Sequence, residues 1–177
     1  MRYNIKSIVH NICYNMNDVF LLLGSNLGDR NSFLQQAIGH IESEIAPVIK
    51  ASAVYETQSW GKTDSPDYLN QVIVLQTELS AQVVLQKVLA IEKVIGRIRE
   101  EKWGQRIIDI DVLFYNSDII NQPGLHVPHP ELHTRRFTLE PLAEIAPSFI
   151  HPVLNKSILQ LKNELKDDLV VKKLYLS

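Results

Sequence analysis

The apolar residues of this chain recur with two periods in a fixed order, and that order constrains the fold more than any other feature. Four segments have the short apolar runs or the alternation typical of strands, at 19–23, 48–57, 71–79 and 107–115. Two segments have helical spacing, at 34–45 and 84–95. The order strand, helix, strand, strand, helix, strand predicts an α+β, ferredoxin-like core, an antiparallel sheet with helices on one face.

The predicted ends of both helices carry suitable capping residues. Asp29 or Asn31 is placed to cap the first helix, and Ser80 to cap the second. Beyond the fourth strand we expect a C-terminal extension with a proline-rich turn at 127–130, a short helix around 139–145 and a terminal helix from about 156 to 167.

The length of 177 residues is typical of one domain, which we expect to occupy residues 16–177. Residues 1–15 contain no acidic side chain and no apolar core, so we expect a disordered leader or an upstream start before Met16. No stretch approaches the ~18 apolar residues of a membrane-spanning helix. The single cysteine, Cys13, excludes an internal disulfide framework and indicates a cytoplasmic protein.

The charge balance gives no reason to expect nucleic acid or a membrane surface as a partner. Lys and Arg number 18 against 20 Asp and Glu, a formal net charge of -2. We therefore expect a monomer that binds small molecules.

Asp109 and Asp111 are the most informative pair of charged residues. Because side chains alternate along a strand, both carboxylates point from one face, with α-carbons about 6–7 Å apart. Such a pair can bind two Mg²⁺ ions together with phosphate oxygens and water. The alternative is a sheet face that presents polar side chains to water.

The charged segment before this pair favours a polyphosphate site. It contains four cations, Arg97, Arg99, Lys102 and Arg106, of the kind that neutralise phosphates. Glu100 and Glu101 leave local ion pairing as an alternative explanation.

His126, His129 and His133 have a spacing that first suggests zinc. Pro128 and the proline after His129 keep the backbone extended, which disfavours helical zinc geometry. Phosphate contacts from His129 and Arg135 fit the sequence better, because both side chains donate hydrogen bonds.

The segment PDYLN at 66–70 could bind a flat heterocycle. Tyr68 and Asn70 share one face of a strand and offer a ring and an amide. A strand-entry turn capped by Asp67 is the alternative. Trp60, in the polar loop at 58–66, could cover a substrate. The glycine loop at 24–28 matches neither phosphate-binding glycine motif.

Seven motifs occur in one order along the chain: GSNLGDR (24–30), YET (55–57), PDYLN (66–70), IE with GRIR (91–99), WGQRIIDIDVLFY (103–115), VPHPELHTRRF (127–137) and LEPLAEIAP (139–147). Together they resemble the 6-hydroxymethyl-7,8-dihydropterin pyrophosphokinase family over roughly residues 17–155. Lys102 and Gln105 stand where this family usually has arginine and proline.

The resemblance implies a ferredoxin-like, ATP- and Mg²⁺-dependent diphosphotransferase that makes the pterin diphosphate and AMP in folate biosynthesis. It implies a catalytic set of Arg97, Arg106, Asp109 and Asp111, the two aspartates also binding two Mg²⁺ ions. It implies a pterin-binding set of Thr57, Gln58, Trp60, Tyr68, Asn70 and Phe137. It implies an ATP-binding set of Glu92, Arg99, Lys102, Trp103, Ile110, His129 and Arg135.

Three alternatives remain at this point. A kinase of another small molecule would release ADP rather than AMP. A non-catalytic ferredoxin-like module that binds a ligand or RNA would tolerate loss of Asp109. An inactive homologue is disfavoured by the retained site residues, among them Asn70, His129 and Arg135.

Overall fold

A six-stranded antiparallel sheet organises the protein, in a computed structural model that describes residues 16–58, 66–97, 106–167 and 169–175. The elements in chain order are β1 (Asn17–Ser25), α1 (Arg30–Glu44), β2 (Val48–Ala51), β3 (Tyr55–Thr57), β4 (Tyr68–Thr77), α2 (Ala81–Ile95), β5 (Asp109–Tyr115), β6 (Ile120–Gln122), β7 (Leu125–Val127), α3 (Arg136–Ile145), α4 (Ile158–Glu164) and β8 (Val171–Lys173). A 3₁₀-helix at Leu132–Thr134 precedes α3.

The strand order β5-β1-β4-β3-β8, with β2 also paired to β4, confirms the predicted ferredoxin-like core. The sequence predicts one strand over 48–57, whereas the structure has two strands with a break between them. Ser52 causes this break: its Oγ accepts a hydrogen bond from the amide of Val72 (3.0 Å), replacing the carbonyl of a continuing strand. Gln71 donates from Nε2 to the Ser52 carbonyl (2.8 Å), so the break is itself hydrogen-bonded.

Helices cover both faces of the sheet. The face of Leu21, Leu23 and Ile73 packs with α1 and α2, as predicted. The C-terminal extension covers the other face, where Leu22 and Val72 pack with α3 and α4. The extension therefore completes a second hydrophobic core on the face that the expected two-layer core leaves open.

A β-bulge in β5 redirects its last side chains. Phe20 of β1 pairs with Phe114, but the next residue of β1 pairs with Val112. Leu113 is therefore the extra residue of the bulge. Phe114 consequently lies against Phe20 on the α3 and α4 face (ring centroids 5.7 Å apart), not on the face of Val112. Strict alternation along this strand predicts one shared face for Val112 and Phe114, and the bulge shows that expectation to be wrong. The freed carbonyl of Leu113 accepts a hydrogen bond from the amide of His129 (2.9 Å).

The helix ends follow the predicted capping chemistry in part. Asp29 caps α1 and accepts from the amide of Ser32 (3.0 Å), whereas Ser80 precedes α2 without a side-chain bond. Gly96 ends α2 with φ of 107°, a left-handed conformation that glycine adopts readily. The terminal helix is shorter than predicted and is followed by β8, which pairs with β3. No helix in the described part of the chain is long and apolar enough to cross a membrane.

Candidate active site

Asp109 lies at the first position of β5, where two arginines hold its carboxylate. Arg97, one residue beyond the glycine that ends α2, donates to Oδ1 (2.5 Å), and Arg106 donates to Oδ2. The three side chains are partly buried. Because charge-assisted hydrogen bonds are the strong ones, this arrangement brings two cations to one end of β5.

Glu92 ties α2 to the same end of the sheet. Its carboxylate is 2% exposed, accepts from the amide of Ile110 (2.8 Å) and pairs with Arg97. Since Ile110 separates the two aspartates in sequence, Glu92 fixes the backbone between them. These two contacts hold Arg97 and the start of β5 in place.

Asp111 lies two residues along the same face, and its carboxylate receives no hydrogen bond or ion pair from the described residues. Its pKa is raised to about 6 by burial and, secondarily, by the negative charge of Asp109. Arg135, Arg106 and Arg97 oppose the increase through their positive charge. Desolvation and the charge of Asp109 thus outweigh the three arginines, and a divalent cation would offset both effects.

The donor set fits Mg²⁺ rather than zinc. Within residues 16–58, 66–97, 106–167 and 169–175, no three or more His, Cys, Asp or Glu side chains come together as a metal site. Mg²⁺ is commonly held by one or two carboxylates and completed by phosphate oxygens and water. Asp109 and Asp111 meet that requirement, whereas a structural zinc ion would need four protein ligands.

His129 and Arg135 lie within electrostatic reach of the aspartate pair, since Arg135 acts on Asp111 and Asp109 acts on His129. Burial and, secondarily, the positive charge of Arg135 lower the pKa of His129 to about 4, against the opposing charges of Glu131 and Asp109. The Nδ1 atom of His129 accepts from the amide of Glu131 (3.2 Å), so the neutral ring carries its proton on Nε2. That Nε2–H group can donate to an anionic oxygen.

Arg135, which belongs to the predicted ATP-binding set, contacts Phe137 of the predicted pterin-binding set. Its guanidinium carbon lies 5.7 Å from the ring centroid of Phe137, within the range of a cation–π contact. Phe137 is half-buried at the start of α3, with one side packed on the core.

The predicted pterin-binding residues lie on the same sheet face as the aspartates. Asn70 is 3% exposed and donates from Nδ2 to Oγ1 of Thr57 (3.1 Å). Burial raises the pKa of Tyr68, and the charges of Arg106 (lowering it) and Asp109 (raising it) also act on this hydroxyl. Tyr68, two residues from Asn70 on the same strand face, therefore also lies within electrostatic reach of Arg106 and Asp109.

The remaining predicted site residues differ in their placement. Gln58 is exposed, and its backbone amide donates to the carbonyl of Val170 (3.5 Å). Ile110 is 3% exposed, and its side chain packs in the core on the face opposite the two aspartates. Strand alternation directs this side chain away from the site, and the contact of Ile110 with ATP stays a prediction. Four predicted residues lie outside the described ranges: Trp60, Arg99, Lys102 and Trp103.

The segment from Gly24, near the end of β1, to Arg30, the first residue of α1, contributes residues that sequence reasoning missed. Gly24 pairs with Asp109 on one side and Asn70 on the other. Asn26 bonds to the backbone of Arg106, and the Arg30 guanidinium reaches Glu56 (3.0 Å) and the Asp67 carbonyl (2.7 Å). The available signal was position: GSNLGDR directly follows the strand that lies between the amide-bearing and the aspartate-bearing strands.

Residues 20–147 match the family model described as 7,8-dihydro-6-hydroxymethylpterin-pyrophosphokinase (HPPK). The chain belongs to this family. It is 43% identical over 149 residues to the 2-amino-4-hydroxy-6-hydroxymethyldihydropteridine pyrophosphokinase of Aquifex aeolicus, covering 84% of this chain and 92% of that one. It is 40% identical over 132 residues to the pyrophosphokinase of that name from Bacillus subtilis, covering 73% and 79%.

Solved structures share the pyrophosphokinase fold. Crystal structures of Plasmodium falciparum HPPK-DHPS align with this chain with a TM-score of 0.71 for the wild type with STZ-DHP and 0.69 for another wild-type structure. Both are 18% identical and cover 84% of this chain, which spans less than half of the Plasmodium chain (43% and 44%). At this identity the likeness supports the fold alone.

Proposed function

We propose that this protein transfers pyrophosphate from ATP to the hydroxymethyl group of 6-hydroxymethyl-7,8-dihydropterin, a step of folate biosynthesis. The products are the pterin diphosphate and AMP. One observation carries the proposal: the aspartate pair and its arginines share a sheet face with the buried amide of Asn70. A site that joins a polyphosphate to a flat heterocycle needs both groups on one surface.

Asp109 and Asp111 would hold Mg²⁺, and we propose two ions. When bound, the metal neutralises the polyphosphate and polarises the transferred phosphoryl group. Arg97 and Arg106 now pair with Asp109, and we propose that they donate to phosphate oxygens when ATP binds. His129 would donate from Nε2 to the same polyphosphate. Arg135 would add its positive charge beside Asp111.

The pterin would bind where Asn70, Thr57 and Tyr68 face the charged group. Asn70 uses one amide hydrogen on Thr57, and its remaining donor and its carbonyl can bond the amide-like edge of a pterin. Phe137 supplies a ring for stacking, which orients a flat heterocycle without specifying its polar groups. Gln58 and Trp60 would complete the pocket. No covalent nucleophile is required, because positioning and charge neutralisation supply most of the catalysis in such transfers.

We propose that the other ATP contacts come from Arg99, Lys102 and Trp103. Glu92 would act indirectly, through Arg97.

The deciding experiment follows AMP formation from ATP, Mg²⁺ and 6-hydroxymethyl-7,8-dihydropterin. We expect AMP and the pterin diphosphate in equal amounts, and no turnover with EDTA. Formation of ADP instead would indicate a kinase of a different kind. No turnover by folded protein would contradict the proposal.

Asp109→Ala separates an enzyme from a ligand-binding module. We expect this variant to lose Mg²⁺-dependent turnover, whereas a binding module would keep its function. The matched control is Asp118→Ala, which removes an exposed carboxylate in the turn after β5 and should leave turnover unchanged.

A further inference from the structure

We infer that Asn26, in the loop after β1, is a positioning residue that sets the location of the Arg106 guanidinium. The inference rests on the proposed function, because it assigns Arg106 a place beside the transferred phosphates. It concerns a loop that matches no phosphate-binding glycine motif and that the proposed function leaves without a role.

Asn26 and Arg106 are joined by two reciprocal hydrogen bonds. The Asn26 amide donates to the carbonyl of Arg106 (3.1 Å), and the Arg106 amide donates to Oδ1 of Asn26 (2.7 Å). Asn26 is 1% exposed, so both bonds are shielded from water. An unsatisfied buried donor costs more than a typical hydrogen bond contributes, which makes this contact difficult to replace with solvent.

These bonds continue the contact of β1 with the β5 segment beyond the last ladder pair. The register of the two strands ends at Gly24 with Asp109, and Asn26 reaches three residues further back along the chain. The backbone of Arg106 is thereby attached to the same strand that carries the rest of the site. A side-chain oxygen does here what a strand carbonyl would do in a longer ladder.

The position of Arg106 matters to three other groups. Its guanidinium bonds to Oδ2 of Asp109, and its positive charge also acts on Asp111 and Tyr68. Arginine has a long side chain with many rotamers. Fixing its backbone reduces the range of positions that the guanidinium can occupy. Asn26 acts on the charged group through Arg106, and the described contacts give it no direct bond to either aspartate.

Asparagine suits this position because its side-chain oxygen must accept a hydrogen bond while its own backbone amide donates one. Its short side chain returns Oδ1 to the level of its own backbone amide, as in an Asx-type contact. Ser25, the preceding residue, is equally buried, but its hydroxyl has no hydrogen-bond partner in the described part of the chain. Ser25 is therefore a matched control, with the same burial and location but no hydrogen bond to Arg106.

The test is a double-mutant cycle of Asn26→Ala and Arg106→Ala, measured by AMP formation under single-turnover conditions so that slow rates remain measurable. We expect Asn26→Ala to lower the rate by about tenfold to a hundredfold, with the KM for the pterin changed less than about twofold. In the Arg106→Ala background, the same substitution should have almost no further effect. Equal effects in both backgrounds would overturn the inference.

Two further variants keep the test independent of folding. Asn26→Asp retains Oδ1 and should recover most of the rate, while Ser25→Ala should match the wild type. The Arg106 amide resonance in ¹⁵N NMR spectra should shift in Asn26→Ala and return in Asn26→Asp. If Asn26→Ala does not fold, Asn26→Ser, whose hydroxyl ends short of Oδ1, replaces it. A wild type without AMP formation contradicts the proposed function, whereas an active wild type with an equally active Asn26→Ala contradicts only this inference.

Discussion

Asn70 and Asp109 lie on the same rung of the sheet, one strand apart, with Gly24 of β1 paired to both. Neighbouring strands are about 4.8 Å apart, so the two backbones are separated by about 10 Å. A Cβ atom at Gly24 would lie 3.3 Å from Oδ1 of Asn70. The absence of a side chain at this position keeps the surface open between the proposed pterin contact and the metal-binding pair.

Gly24→Ala should weaken pterin binding more than ATP binding. The added methyl group displaces the Asn70 amide by a few tenths of an ångström, and it strains the Asn70–Thr57 bond. We expect the KM for the pterin to rise by about tenfold, the equivalent of 1.4 kcal/mol, with a small change in the KM for ATP. Steady-state kinetics with each substrate varied in turn measures this difference.

The matched control is Gly39→Ala, on the exposed face of α1, where an added Cβ meets nothing within 4 Å. Kinetics should be unchanged, and unfolding should cost about 0.5–1 kcal/mol more, because alanine is the better helix former. Equal KM changes for both substrates in Gly24→Ala would contradict a specific effect on Asn70.

The chemistry of the site could be predicted from sequence, but its assembly could not. The spacing of Asp109 and Asp111 predicts two carboxylates on one face, and the structure places them so. The rung that joins Asn70 to Asp109 depends on strand register, which no local pattern around either residue encodes. The hydrogen bonds between Asn26 and Arg106 join residues 80 positions apart in sequence, so they follow from the sheet order rather than from the loop motif.

Asp111→Asn should abolish turnover without destabilising the fold. In the described part of the chain this carboxylate receives no hydrogen bond, and its burial beside Asp109 disfavours the charged form. We expect the rate to fall by more than about a hundredfold, beyond the 10–100-fold losses typical of residues that only orient a metal ligand. The Tm at pH 7 should be equal to or above that of the wild type, and a clear decrease would contradict this account of Asp111.

His129 should be neutral at physiological pH and should make stability depend on pH under acidic conditions. Its pKa is about 4 in the folded protein against 6.5 for an unperturbed histidine, so the unfolded chain binds more protons between these values. The free energy of unfolding therefore rises with pH across this window, and the increase is complete above about pH 6.5. Denaturation at a series of pH values between 4 and 6.5 should show that the free energy of unfolding increases less steeply with pH in His129→Gln than in the wild type.

NMR titration of the His129 ring tests the same group in the presence of ligand. Bound polyphosphate would add negative charge near the ring, so Mg²⁺ and a non-hydrolysable ATP analogue should raise its pKa. An unchanged pKa in the complex would contradict the proposed contact between His129 and the phosphates.

The fold shows a similar division between local and distant information. Periodic segments predict α1, α2 and β4 because their apolar residues match one period throughout, and the continuous apolar run at 19–23 predicts β1. The short strands β6, β7 and β8 have three residues each and few buried side chains, so they leave no periodic signal. The bulge at Leu113 is also invisible locally, because IIDIDVLFY alternates without interruption up to that residue.

Glu144 of α3 should contribute measurably to stability by attaching the C-terminal strand to the sheet. Its carboxylate accepts from the Tyr55 hydroxyl (2.9 Å), the Ala53 amide (3.1 Å) and the Lys173 ammonium group (2.8 Å). Burial alone would raise the pKa of Glu144, but the bonds from Lys173, Tyr55 and Ala53 outweigh it and lower the pKa below its usual value of 4.5. A lowered pKa means that the stabilisation is present above about pH 4.5 and is lost as the pH falls.

We expect Glu144→Gln to reduce the free energy of unfolding at pH 7 by about 1–3 kcal/mol, because hydrogen bonds to a charged group are lost. Tyr55→Phe should cost less, since it removes one of the three bonds and leaves the carboxylate paired. The control is Glu164→Gln, whose pair with Lys156 is about half exposed and should contribute under about 1 kcal/mol. Urea unfolding at pH 7 and again at pH 4 should show the difference between wild type and Glu144→Gln shrinking at the lower pH. A difference that is the same at both pH values would mean that the charge of Glu144 does not hold β8 to α3.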